Sequence, residues 1–125
     1  MTKILLMFAL ALTLGACPSQ RVDTTTLSKS AFAAKSAYEA TLVVAVAYNE
    51  RVRCTVPKTV TICSEQAVVD QLRRASATAD AATQAAENAV RTMGSNPTIV
   101  SAAVTAAEQS VKALTAITTV YAKVN

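Results

Sequence analysis

Few residue types in this chain could do chemistry. Three cysteines, Cys17, Cys54 and Cys63, carry its reactive thiols. Histidine is absent, so the abundant serines and threonines cannot build an ordinary triad, and no serine–lysine pair is singled out by its spacing. Two thiols without histidine make a poor metal site. Cys54 and Cys63 have eight residues between them, whereas redox-active pairs usually have two. The carboxylates are scattered rather than paired, which argues against acid–base catalysis. With only Gly15 and Gly94, no glycine-rich phosphate loop can form. The residues therefore predict no enzyme, no cofactor and no metal. Their remaining chemistry is modification or cross-linking of thiols.

The first thiol sits in an informative context. Lys3 precedes an apolar run, Ile4–Leu14, which is the layout of a secretion signal and too short to span a bilayer. The overall hydrophobic share of 52% is inflated by this segment. Leu14-Gly15-Ala16-Cys17 follows, with a branched apolar residue three before the cysteine and two small residues between. This resembles the lipobox of bacterial lipoproteins over the first 17 residues. The resemblance implies cleavage after residue 16 and acylation of Cys17, with palmitate-type lipid chains holding the protein at a membrane. It also implies a place in the cell envelope. Pro18, where aspartate would favour inner-membrane retention, points to the outer membrane, facing the periplasm. Acylation of Cys17 leaves Cys54 and Cys63 as a pair in an oxidising compartment, where a disulfide is expected.

Residues 17–26 read as the lipidated cysteine and a polar tether, whose nine residues after Cys17 reach roughly 30 Å when extended. Residues 27–125 read as one all-α domain, an antiparallel three-helix bundle with alanine-rich packing. The first helix is predicted over about 27–53, capped by Ser28 or Thr26. Its seam is Leu27, Ala31, Ala34, Tyr38, Thr41, Ala45, Tyr48 and Val52, widened into buried core by Leu42, Val43, Val44 and Val46. The second is predicted over about 64–93, with Ser64 as cap and Glu65 in the first turn. Val68, Leu72, Ala75, Ala79, Ala82, Ala86, Ala89 and Met93 keep a four-three rhythm until Gly94 ends the helix as a left-handed cap. The third, about 97–124, opens with an Asn96 cap and Pro97, and its seam is Val100, Val104, Ala107, Val111, Leu114, Thr118 and Tyr121. The link Gly94-Ser95-Asn96 is so short that the last two helices must be antiparallel. The β-branched segment Thr55–Ile62 is interrupted by Pro57 and reads as an extended loop.

Two groups outside the cysteines compete for a functional reading. Arg51, Arg53 and Lys58 cluster at the first hairpin, with Glu50 and Glu65 near; local ion pairing outweighs an anion-binding role. Tyr38, Tyr48 and Tyr121 fit core-edge positions with hydroxyls in water better than a ligand pocket. Loss of Lys3 leaves eleven basic side chains against eight acidic, too mild and too scattered for nucleic acid. The expectation is a membrane-anchored envelope protein with a non-enzymatic binding or structural role, an unidentified protein partner and seams that allow self-association. The competing class is a phage- or prophage-derived envelope lipoprotein, a lysis partner or a receptor-blocking protein.

Overall fold

The computed structural model describes residues 23–55, 62–92 and 94–122. The signal segment, Cys17 and most of the tether lie outside them, as do Pro57, Lys58, Met93 and Val124. Three helices pack against one another, α1 (Thr24–Asn49), α2 (Gln66–Thr92) and α3 (Pro97–Ala122), as an all-α bundle. Among the described residues there is no strand, only an isolated parallel bridge between Arg53 and Ser64.

The helix ends differ from the sequence expectation for identifiable reasons. Asp23, not Ser28 or Thr26, caps α1: its Oδ1 accepts from the Thr25 N–H at 3.1 Å, and its carbonyl accepts the first helical bonds. Aspartate supplies the cap oxygen one turn earlier, so residues expected in the tether, Thr24–Thr26, are already helical. α1 stops at Asn49 rather than near Arg53. The chain is drawn out of the helix because Val52 and Cys54 pair with Ser64 instead: Ser64 N–H donates to the Val52 carbonyl at 2.8 Å, and Cys54 N–H to the Ser64 carbonyl at 3.1 Å. For the same reason Ser64 does not cap α2, which begins at Gln66 and takes its first bond from Val69 N–H to the Glu65 carbonyl. Asn96 does cap α3, accepting from Ile99 N–H at 3.3 Å. Gly94 does not adopt the left-handed backbone expected of it; its missing side chain matters because a Cβ would lie 3.1 Å from the Val90 carbonyl oxygen.

The core has two halves. One joins Leu27, Ala31 and Ala34 of α1 to Ala86 and Ala89 of α2 and to Val100, Val104 and Ala107 of α3. The other joins Ala45 and Tyr48 to Val68, Val69, Leu72, Ala79, Val111 and Leu114. This pairing of the start of α1 with the end of α2 and the start of α3 is the antiparallel order. The first half is alanine-rich, and one buried methyl contributes only about 0.8 kcal/mol, against about 1.5–3 kcal/mol for a side chain such as Leu114. Thr83 is buried in α2 and satisfies its own hydroxyl, which donates to the Ala79 and Asp80 carbonyls. Polar ties link the helices at their margins. Lys35 Nζ lies 3.3 Å from Glu87 Oε2 between α1 and α2, and the Thr41 and Thr115 hydroxyls meet at 3.2 Å between α1 and α3.

The middle of α1 departs from the expected core. Val43, Val44 and Val46 are 69%, 40% and 46% exposed, and Leu42 is half-buried. A run of apolar residues on every side of a helix gives no periodicity to choose the inner face, and only Ala45 of the Leu42–Val46 run turns fully inward. Val52, expected on the seam, lies beyond the helix and is also exposed.

Candidate functional site

The site that the described residues assemble is the connection between α1 and α2. Cys54 and Cys63 are joined by a disulfide, with α-carbons 5.0 Å apart. Both cysteines flank the short ladder around the Arg53–Ser64 bridge, which brings the two chain segments side by side. The pairing expected of the two thiols is thus present. Cys17 lies outside the described residues.

A knot of side chains closes around the crosslink. Ser64 is fully buried; its hydroxyl donates to the Arg51 carbonyl at 3.0 Å and accepts from Arg53 Nη1 at 2.8 Å. Arg53 Nη2 donates to Asn49 Oδ1 at 3.1 Å. The Arg51 guanidinium carbon sits 5.2 Å from the centroid of the Tyr48 ring, a cation–π distance. Tyr48 is only 5% exposed, and its hydroxyl accepts from the Glu65 backbone N–H at 3.1 Å. Its hydroxyl therefore does not reach for water, as a core-edge position would have it. It holds the entry to α2, where a helix start leaves N–H groups without intrahelical partners. Tyr38 and Tyr121 do sit half-buried at the edge of the second core half. Burial, and then the charge of Asp80, raise the Tyr38 hydroxyl above its ordinary value of 10.0.

These contacts tie the connection to the end of α1 and the start of α2. Arg51 and Arg53, two of the three cations that could have formed an anion-binding cluster, are engaged by Tyr48, Asn49 and Ser64. No pattern in the sequence points to the Tyr48–Glu65 and Ser64–Arg51 bonds, because they join residues far apart in the chain through atoms that most serines and tyrosines give to solvent. Among the described residues no group of three histidine, cysteine, aspartate or glutamate side chains could hold a metal. None of the described helices is long and apolar enough to cross a membrane. A shallow groove of about 220 Å³ runs between α1 and α2, floored by Val69 and Leu72 and walled by Leu42 and Val46. Compared with protein-family models, curated proteins and solved structures, the chain matches none.

Proposed function

We propose that this chain is a small bacterial lipoprotein of the cell envelope, anchored by lipid on Cys17 and serving a non-enzymatic binding or structural role. The observation that carries the reading is the Leu14-Gly15-Ala16-Cys17 motif, placed directly after Lys3 and the apolar run Ile4–Leu14. The Cys54–Cys63 disulfide supports it, since such bonds persist in oxidising compartments. So does the position of the bundle, whose first helix opens at Thr24, shortly after the proposed anchor. The absence of histidine from the whole sequence and the structural engagement of the hairpin's arginines favour binding or support over catalysis. The partner, on this reading, is another envelope protein, and the location is the periplasmic face of the outer membrane.

The direct test is mass spectrometry of the mature N-terminus with Cys17→Ser beside the wild type. The expected result is a lipid-modified Cys17 as first residue, and a Cys17→Ser protein that no longer sediments with membranes. An unmodified Cys17, or a mature chain that starts elsewhere, refutes the proposal.

A further inference from the structure

Large exposed apolar side chains are unevenly spread over the bundle. Phe32, Val43, Val44 and Val46 lie on α1, 59%, 69%, 40% and 46% exposed, and Val52 and Ile62 follow on its connection to α2. None of the large exposed apolar side chains lies on α2, while α3 carries Ile99 and Val120 near its two ends. On α1, Lys29, Phe32, Ser36, Val43 and Ala47 fall on one line at three-, four- and seven-residue spacings, opposite the buried line of Leu27, Ala31, Ala34 and Ala45. The α1–α2 groove walled by Leu42 and Val46 continues this surface sideways.

We propose that the outer face of α1 rests on the surface of the bilayer that holds the lipid anchor, so that the bundle lies along the membrane instead of standing away from it. The proposal rests on the lipoprotein reading above. The chain between the anchor and the bundle is short. Six residue steps separate Cys17 from Asp23, the cap of α1, so at full extension the start of α1 stays within about 21 Å of the anchor. The 26 residues of α1 span about 39 Å. Upright, the bundle would carry Val43 and Val46 far into water. Lying down, it places the helix that carries Phe32, Val43, Val44 and Val46 against lipid. The described helices cannot cross the bilayer, and on α1 the charges of Lys29, Lys35 and Glu39 explain why. A helix whose outer face mixes Phe32, Val43 and Val46 with the charges of Lys29 and Glu39 instead settles at the interface. Glu39, close to that line between Phe32 and Val43, limits the depth to the headgroup region. It also disfavours a second copy as occupant, since pairing two α1 helices about the middle of this face would bring their Glu39 carboxylates together.

The chain has no tryptophan, so a single indole can report on each face. The full chain is expressed in a bacterium, purified with its natural N-terminus, and placed in phosphatidylethanolamine–phosphatidylglycerol vesicles with brominated acyl chains. Val43→Trp and Phe32→Trp probe the outer face of α1. Ala81→Trp, at an exposed position of α2, is the reference. Circular dichroism checks that each variant is folded, and two α1 positions guard against the loss of either. The expected result is quenching at positions 32 and 43 severalfold stronger than at 81, with bluer emission. Equal quenching and emission at positions 43, 32 and 81 on a protein whose N-terminal mass shows a lipidated Cys17 overturns this proposal alone. Bluer emission at position 43 without quenching by the brominated chains means that a protein covers the face, and overturns it too. A Cys17 without lipid overturns the lipoprotein reading and takes this proposal with it.

Discussion

Removal of the Cys54–Cys63 bond, by the double substitution Cys54→Ala with Cys63→Ala, tests how much of this bundle's stability resides in one covalent link. The cysteines are nine positions apart, so the bond closes a loop of ten residues. The chain-entropy relation for such a loop gives about 2.7 kcal/mol at 25 °C, through restriction of the unfolded chain. A domain of roughly this size has a total stability of about 5–15 kcal/mol, so the loss is substantial but not fatal. At about 4–8 °C per kcal/mol, the melting midpoint should fall by about 10–20 °C. Helicity at room temperature should persist, because the core halves and the Ser64 and Tyr48 hydrogen bonds do not depend on sulfur. The assay is thermal unfolding followed by far-ultraviolet circular dichroism, on the double variant and on reduced wild type, whose midpoints should coincide. A fall of less than about 3 °C, which is under 1 kcal/mol, would refute the reasoning. It would mean that the noncovalent knot already holds the loop closed in the unfolded ensemble.

Three further outcomes follow from named contacts. Ala79 is fully buried and Ala81 exposed, so Ala79→Leu should overpack the core and cost about 1–3 kcal/mol while Ala81→Leu costs far less; equal melting midpoints would contradict this packing. Tyr48→Phe removes the acceptor of the Glu65 N–H and should cost about 1 kcal/mol in urea unfolding, with Tyr121→Phe as a near-neutral comparison. The Tyr38 hydroxyl is raised above 10.0 in the folded protein, so the unfolded chain ionises first and stability should decline as pH rises through about 10; Tyr38→Phe should flatten that alkaline slope in melting midpoints taken against pH.

The architecture was legible because α2 and α3 carry regular seams. Val68, Leu72, Ala79, Ala86 and Ala89 on α2, and Val100, Val104, Ala107, Val111, Leu114 and Thr118 on α3, are buried as their spacing predicts, while Ala75 and Ala82 of the α2 seam are partly buried. What the spacing could not show is that α2 faces two neighbours at once, so Val69 and Thr83, off the single predicted line, are buried as well. On α1 the pattern failed where it was richest: Leu42, Val43, Val44 and Val46 are apolar on every side, and three of the four are exposed. The disulfide was legible because reading Cys17 as the acylated thiol leaves Cys54 and Cys63 as the remaining pair. The Ser64 and Tyr48 hydrogen bonds were not, because a hydroxyl that meets a distant backbone atom leaves no periodic trace.

An odd number of antiparallel helices also fixes how the bundle bears load. α1 opens at one end and α3 closes at the other, so tension applied between Thr24 and Ala122 runs along the helices and slides them past one another instead of peeling them apart. In such sliding every interhelical contact resists together, including the Lys35–Glu87 and Thr41–Thr115 ties. The covalent link sits at the far end of α1 from Thr24, where α1 hands its tension to α2. The staple therefore keeps that handover closed while contacts in both core halves take the strain together.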